Sequence, residues 1–184
     1  MRLFIAISFP EQELRAISDR IAMVKSRLPP AAWVRPETQH LTFAFLDEQP
    51  ESLLPTLTTC VEESLASVPR FEGQLRGSGF FPNARHARVA WVGAGPEEKF
   101  RAVAEAVRSG VKAAGVTLDG GDFRAHLTLF RIRDRWPPAC IEIFNGALRD
   151  FKSDPIPIDS VTLFSSQLNP KGAIHTPLRT FALA

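Results

Sequence analysis

The 184-residue chain has little cysteine, little histidine and no long apolar run, and each shortage excludes a class of protein. Two cysteines, Cys60 and Cys140, are too few for a disulfide framework and form no Cys-x-x-Cys pair that would indicate a zinc site. No apolar run reaches the roughly 20 residues that a membrane-spanning helix needs. The apolar N-terminal segment lacks a small-residue cleavage site, so we expect no signal peptide and a soluble, cytoplasmic protein without membrane contact.

The chain also has little net charge. Lys and Arg together number 22 and Asp and Glu 20, which gives +2 at pH 7. So small an excess is not typical of proteins that coat long nucleic acids, although it allows a local site for a short anion. Hydrophobic residues at 45% and charged residues at 23% are close to globular averages. The length predicts one domain over residues 1–184.

Apolar periodicity predicts alternating strands and helices. Strands are expected over 2–9, 40–46, 71–81, 87–92, 126–133, 156–168 and 174–183, and helices over 10–28, 51–68, 96–114 and 137–151. After the first strand, the order helix, His-bearing strand, helix and two strands occurs twice, which indicates a duplication with a pseudo-twofold arrangement. Short turns favour antiparallel pairing. The predicted fold class is α+β, with helices on one side of the sheets.

Two of the four histidines begin matching tetrapeptides. Residues 40–43 read His-Leu-Thr-Phe and residues 126–129 read His-Leu-Thr-Leu, each at the start of a predicted strand. Because side chains alternate along a strand, the His and Thr of each motif share one face and the Leu between them points to the core. Each motif therefore offers an imidazole and a hydroxyl side by side.

Two imidazoles and two hydroxyls across a cleft suit attack on a phosphate diester without a metal. Histidine titrates near 6.5, so one ring can take a proton from water while the other gives one to the leaving oxygen. The hydroxyls add hydrogen-bond donors for anionic oxygens. A metal site is disfavoured because no third His or carboxylate lies at ligand spacing and Thr is a poor zinc ligand. Two ordinary surface histidines are the alternative interpretation.

The paired motifs, 86 positions apart, resemble those of the two-histidine phosphoesterases. The chain is most similar to the bacterial and archaeal LigT-like branch, once called 2′-5′ RNA ligase and now RNA 2′,3′-cyclic phosphodiesterase. The resemblance covers nearly the whole chain. It includes the Arg-Leu-Phe-Ile-Ala-Ile opening at 2–7, Trp-Val-Arg-Pro-Glu at 33–37, Phe-Leu at 45–46, Arg131 and Thr-Pro-Leu at 176–178.

The resemblance implies a bilobal fold, with two antiparallel sheets, outer helices and a central cleft that both motifs face. It also implies hydrolysis of a 2′,3′-cyclic phosphate to a 2′-phosphomonoester, with no metal and no cofactor. Carried over by position, His40 would protonate the leaving 3′-oxygen and His126 would activate water. Thr42 and Thr128 would hold the phosphate oxygens.

The chain departs from the family pattern at two positions. Ala44 stands where the family often has a basic residue, which bears on the strength of substrate binding. His175 stands where the family often has tyrosine, and this chain has no tyrosine at all. We expect His175 to line the cleft and to do the polar work of that tyrosine, with a position on the surface as the alternative.

Arginines surround the second motif. Arg124 precedes it and Arg131 follows it, so both are candidates to clamp an RNA end. Arg133 and Arg135 alternate with Arg131 and would share its face on a continuing strand, although a solvated strand edge explains them equally well. His86 is expected in a turn.

Phe45 has two interpretations. Five positions after His40, simple alternation places it on the core face. The resemblance instead suggests that it stacks on a base, as aromatic residues often do in RNA sites. Both interpretations stay open at this stage.

The predicted substrate is RNA with a 2′,3′-cyclic phosphate end, or a small cyclic nucleotide. DNA is excluded as a substrate because the cyclic phosphate needs the 2′-oxygen. Two alternatives are the related ligase reaction, which joins a cyclic phosphate to a 5′-hydroxyl in a 2′-5′ bond, and a non-catalytic module that binds RNA ends.

Overall fold

The computed structural model describes residues 1–169 and 172–184, and its elements alternate as the periodicity predicts. The strands are β1 (Arg2–Ser8), β2 (Ala32–Trp33), β3 (His40–Glu48), β4 (Phe71–Phe81), β5 (Val89–Gly95), β6 (His126–Arg131), β7 (Ile156–Ile158), β8 (Ser160–Asn169) and β9 (Gly172–Ala182). The helices are α1 (Glu11–Ala22), α2 (Leu54–Leu65), α3 (Glu97–Ala113) and α4 (Pro138–Leu148).

The strands form two antiparallel sheets. We call the one with order β3-β1-β8-β9 the His40 sheet, and the one with order β2-β6-β5-β4-β7 the His126 sheet. The pairs within each sheet are antiparallel. The predicted α+β class, with two antiparallel sheets and a pseudo-twofold order, is confirmed.

The two halves of the chain exchange their later strands between the sheets. After the His40 strand and helix α2, the chain enters β4 and β5, which belong to the His126 sheet. After the His126 strand and helix α4, it enters β8 and β9, which belong to the His40 sheet. Each sheet is therefore built from both halves, and neither motif lies on a sheet made by one half of the chain alone.

This exchange corrects one prediction. The run 156–168 is not one strand, because it divides at Asp159 between the two sheets. β7 pairs with the start of β4, at Phe71–Gly73, whereas β8 pairs with β1. The predicted turn before β9 includes residues 170 and 171, which lie outside the described residues.

The helices pack in pairs outside the sheets. Helix α2 packs against α3, and α1 packs against α4. The closest approach of the first pair needs a glycine, because a Cβ on Gly110 would lie 2.5 Å from Ser64 Oγ and 2.8 Å from the Cα of Val61. Side chains from helices and sheets form one continuous apolar core that includes Phe100, Phe130 and Phe144, all fully buried.

The helices are too short or too polar to cross a lipid bilayer. Over residues 1–169 and 172–184, no helix has the length and hydropathy of a membrane span. The cytoplasmic setting stays a prediction.

Candidate active site

The same local device orients both motif histidines. His40 is the first residue of β3 and His126 the first of β6. The Nδ1 of His40 donates to the backbone oxygen of Thr38 at 2.8 Å, and that of His126 donates to the oxygen of Arg124 at 2.7 Å. Because a carbonyl only accepts, each neutral ring carries its proton on Nδ1 and leaves Nε2 as a free base.

A β-bulge follows each motif at the same position. In the pairing of β3 with β1, Thr42 lies opposite Ala6 and Ala44 opposite Ile5, so Phe43 has no partner. The pairing of β6 with β5 skips Leu129 in the same way. Two residues of the bulged strand then oppose one on its neighbour, which reverses the alternation beyond that point.

The bulges turn Phe45 and Arg131 toward the motif face. Ala44 lies on the core side at 6% exposure, whereas Phe45 is 60% exposed. Phe130 is fully buried and Arg131 exposed in the same manner. The expectation from simple alternation, that Phe45 faces the core, is therefore wrong, because that argument assumes an unbroken ladder.

Both motifs line one cavity of about 920 Å³. The predicted site residues that it brings together are His40, Thr42, Phe45, His126, Thr128, Arg131 and His175. Within the described residues, the hydroxyls of Thr42 and Thr128 have no hydrogen-bond partner, so both are free to donate to a ligand. The cavity thus holds three imidazoles, two hydroxyls and the guanidinium of Arg131.

Aromatic rings pack against each catalytic candidate from its own sheet. The His40 ring lies 4.7 Å from the ring of Phe4 and 5.2 Å from that of His175. The His126 ring lies 4.8 Å from Phe81 and 6.4 Å from Trp91, measured between ring centroids. Each imidazole is therefore held both by its one hydrogen bond and by the aromatic rings packed against it.

Trp91 occupies its place because β4 offers it a glycine. A Cβ on Gly79 would lie 2.3 Å from the indole ring, so the ring sits directly on the bare backbone. The guanidinium of Arg124 covers the ring at 4.4 Å. Arg124 was predicted near the phosphate, but its side chain packs on this indole and its backbone oxygen orients His126.

Burial lowers the pKa of both motif histidines below the ordinary 6.5. For His40, desolvation is the largest cause, and the positive forms of His175 and His126 lower the pKa further, against the hydrogen bond to Thr38. For His126, desolvation again dominates and the charges of Arg124 and Arg131 lower the pKa further, against the hydrogen bond to the Arg124 carbonyl and the charge of Glu97. Both rings are therefore neutral at pH 7 in the free protein.

His175 lies in the cavity on β9, where it faces both His40 and Phe4. Its Nδ1 is buried and has no hydrogen-bond partner among the described residues. Burial lowers the pKa of His175 as well. The third histidine of the site thus favours its neutral form at pH 7, becomes positive only at lower pH and has one unused polar atom.

The remaining residues weighed from the sequence lie elsewhere. His86 is in the exposed turn 84–86, as expected. Strand β6 ends at Arg131, so Arg133 and Arg135 follow it in an irregular exposed segment and are not on a continuing strand. In residues 1–169 and 172–184, no three His, Cys, Asp or Glu side chains cluster as metal ligands would.

Sequence reasoning missed several groups at the cavity. Phe4 looks like part of a uniformly buried strand, yet its ring supports His40. Arg108 lies on α3, far from either motif in sequence, and donates to the backbone oxygens of Asp119 and Gly121 while it lines the cavity. The helical pattern of α3 marks Arg108 as a surface residue and gives no sign of either contact.

Curated proteins resemble this chain over its full length. A curated relative from Thermus thermophilus, named RNA 2′,3′-cyclic phosphodiesterase, is 34% identical and aligns with 100% of this chain and 90% of its own. A relative of the same name from Methanothermobacter thermautotrophicus is 27% identical over 100% of this chain and 99% of its own. The expectation that the chain is an enzyme of this kind is confirmed by these full-length matches.

Solved structures share the whole fold. The protein TT0787 of Thermus thermophilus matches with a TM-score of 0.77 and 30% identity over 100% of this chain and 98% of its own. Escherichia coli LigT, solved with 3′-AMP, matches with a TM-score of 0.74 and 25% identity over 99% and 97%. The family model of the 2′-5′ RNA ligase superfamily matches residues 10–169. The chain therefore belongs to the 2′-5′ RNA ligase superfamily.

Proposed function

We propose that the protein hydrolyses 2′,3′-cyclic phosphate ends of RNA to 2′-phosphomonoesters, with His126 as general base and His40 as general acid. The observation that carries this proposal is the pair of His-x-Thr motifs, each with a free Nε2 and a free hydroxyl, on one cavity. The names of the curated relatives support the same substrate.

The proposed step is an in-line displacement at phosphorus. The Nε2 of His126 takes a proton from water as the water oxygen bonds to phosphorus. The bond from phosphorus to the 3′-oxygen breaks, and that oxygen takes a proton from Nε2 of His40. The phosphate stays on the 2′-oxygen. His126 ends protonated and His40 neutral, so one proton exchange with solvent restores the site.

The lowered pKa values of the two histidines favour the base role of His126 and disfavour the acid role of His40. A neutral His126 is ready to act as a base at pH 7. His40 must be protonated to act as an acid, and its burial disfavours that form. The negative charge of the bound phosphate offsets this, because an anion close to an imidazole favours the imidazolium.

Thr42, Thr128 and Arg131 are the proposed phosphate contacts. Their hydroxyls and guanidinium are the hydrogen-bond donors best matched to the non-bridging oxygens, and charge-assisted bonds strengthen as negative charge builds up. Phe45, exposed beside this site, is the proposed stacking partner for the terminal base. E. coli LigT was solved with 3′-AMP, which supports a nucleotide as the ligand of this chain.

Product analysis tests this function. A short RNA with a 2′,3′-cyclic phosphate is incubated with the protein in EDTA, and phosphorus NMR assigns the product. We expect a 2′-phosphomonoester. A 3′-phosphate or a strict metal requirement would contradict the proposed mechanism, and no product at any pH would favour a module that only binds RNA ends.

The same incubation with a second RNA that has a 5′-hydroxyl separates hydrolysis from ligation. Ligation uses the same acid and base, with a ribose hydroxyl in place of water. We expect the 2′-phosphate to dominate when both RNAs are present. A 2′-5′-linked RNA as the main product would replace the hydrolase assignment with the ligase.

A further inference from the structure

The two sheets differ sharply in charge where their motif strands end. Counting from each histidine, the residues at the fifth and seventh following positions are Phe45 and Asp47 on the His40 sheet, and Arg131 and Arg133 on the His126 sheet. Because the bulges occupy the same place in both strands, Phe45 and Arg131 leave their sheets in equivalent positions. The pseudo-twofold arrangement thus places an apolar and acidic end opposite a basic one.

The basic end is larger than β6 alone. The strand pairing sets Val89 opposite Arg131, and the backbone N–H of Ile132 donates to the oxygen of Arg88 at 2.8 Å. The guanidinium of Arg88 in turn donates to the backbone oxygen of Arg133. These bonds bring the turn between β4 and β5 beside the segment after β6. We call the cations gathered there the arginine face: Arg85, Arg88, Arg131, Arg133 and Arg135.

The arginine face is exposed and carries an excess of positive charge. Asp134 is the one acid in segments 81–89 and 130–136. In the described part of the chain, none of the five arginines forms an ion pair with an acid. Five guanidinium groups without an ion pair, of which Arg131 lines the cavity, form an anion-binding surface, since arginine is matched to phosphate oxygens.

The His40 side does not offer such a surface. Arg2 lines the cavity there, but it lies opposite Glu48 in the strand pairing. Glu48 forms its ion pair with the N-terminal ammonium at 3.3 Å, and Asp47 is exposed beside it. A polyanion that leaves the cavity therefore meets both acidic and basic groups on the His40 side, and on the other side arginines that form no ion pair.

We propose that the arginine face binds the RNA strand on the 5′ side of the cyclic phosphate, and so selects the ends of RNA chains over free cyclic mononucleotides. This rests on the proposed function, in which the cyclic phosphate is a 3′ end, so that the rest of the RNA extends only from the 5′-oxygen of the terminal ribose. Arg131 connects the cavity to the arginine face, because it belongs both to the cavity lining and to the face.

The test compares two substrates and two matched variants. The substrates are a 2′,3′-cyclic mononucleotide and a six-nucleotide RNA with a 2′,3′-cyclic phosphate. Arg133→Gln/Arg135→Gln removes two charges from the arginine face, outside the cavity. Arg15→Gln/Arg149→Gln removes the same net charge from exposed positions on α1 and after α4. Circular dichroism checks the fold, and Arg133→Lys/Arg135→Lys retains the charge if the glutamine variant does not fold.

We expect the face variant to lose about tenfold in kcat/KM on the oligonucleotide at low salt and to keep its rate on the mononucleotide. The dependence of log kcat/KM on log salt concentration should become shallower by about 0.7 for each RNA phosphate that the variant no longer binds. The control variant should match the wild type on both substrates, and the lysine variant should retain most of the preference for the oligonucleotide.

Two results would overturn this proposal while leaving the function intact. One is an equal loss on both substrates, which would mean that these arginines act on the cavity itself. The other is an unchanged oligonucleotide rate and salt dependence in a wild-type-like fold. If the wild type hydrolyses neither substrate, the proposed function fails first.

Discussion

The His40 sheet and the His126 sheet are alike where the chemistry is proposed and unlike where the substrate must lie. Each places a histidine at the start of a strand, fixes its Nδ1 on the carbonyl two residues earlier and inserts a bulge after the threonine. Beyond the bulge, one presents Phe45 and the other Arg131. The proposed acid and base are both imidazoles, so the two sheets can position them in the same way. An RNA end has a base on one side and phosphate on the other, so the two sheets need different side chains to bind it.

The neighbours of the two imidazoles differ as well. His40 has a second imidazole, His175, at 5.2 Å, whereas His126 has the rings of Phe81 and Trp91. A titratable neighbour makes the pKa of His40 depend on the charge of His175, and the aromatic neighbours of His126 have no such effect. The two rings are therefore held alike but tuned differently.

Removing either motif imidazole should have the largest effect. We expect His40→Ala and His126→Ala each to lower kcat by about 10²- to 10⁴-fold, because each removes one proton transfer from the displacement. Steady-state rates on the cyclic mononucleotide measure this. His86→Ala, in the exposed turn, is the matched control and should keep the wild-type rate. Full activity in either motif variant would show that the histidine of that sheet is not catalytic.

Removing one motif hydroxyl should cost less, and equally on the two sheets. Thr42→Val and Thr128→Val keep the side-chain shape and delete a donor to the phosphate. The loss expected in kcat/KM is about tenfold to hundredfold, the value of a hydrogen bond to a charged group. Losses that differ strongly between the two variants would show that the phosphate lies nearer to one sheet.

The pH profile should reveal the different tuning. Both pKa values are lowered in the free protein, so the bell-shaped profile of kcat/KM should peak below pH 6.5, the ordinary value for histidine. The profile of kcat should lie at higher pH, because bound phosphate favours the protonated form of His40.

His175→Gln should move one limb of that profile only. Without a positive neighbour the pKa of His40 rises, so the alkaline limb, where protonated His40 is lost, should shift to higher pH. The acid limb, which follows His126, should stay in place. His86→Gln is the control. A shift of the acid limb instead would mean that the group beside His175 acts as the base, and would assign the base to His40.

The sequence predicted the parts of the fold that depend on local pattern. Strand and helix periodicity located most elements, and the repeated order revealed the two related sheets. It could not predict that 156–158 and 160–169 join different sheets, because the residues of a strand do not determine which other strand it pairs with.

The site was predictable in its chemistry and less so in its geometry. Two His-x-Thr motifs suffice to select the two imidazoles and the two hydroxyls of the proposed chemistry, and the family resemblance adds which imidazole is proposed as acid and which as base. The bulges at Phe43 and Leu129 were missed because a bulge arises from the mismatch between two strands, and the exposure of Phe45 follows from it. The contact of Phe4 with His40 and the place of Arg108 in the cavity lining were missed because residues distant in sequence meet only after folding.

The central claim is that the two sheets divide the labour, with His40 protonating the leaving 3′-oxygen and His126 activating water. It is tested most directly with a 2′,3′-cyclic phosphorothiolate that has sulfur in place of the 3′-oxygen. A thiolate leaves without needing a proton, so the acid becomes dispensable while the base does not. The measurement is the rate of His40→Ala and of His126→Ala on this substrate, each relative to the wild type. We predict that His40→Ala regains most of the wild-type rate and His126→Ala stays inactive; recovery by His126→Ala alone, or equal losses in both variants, would contradict this division of roles.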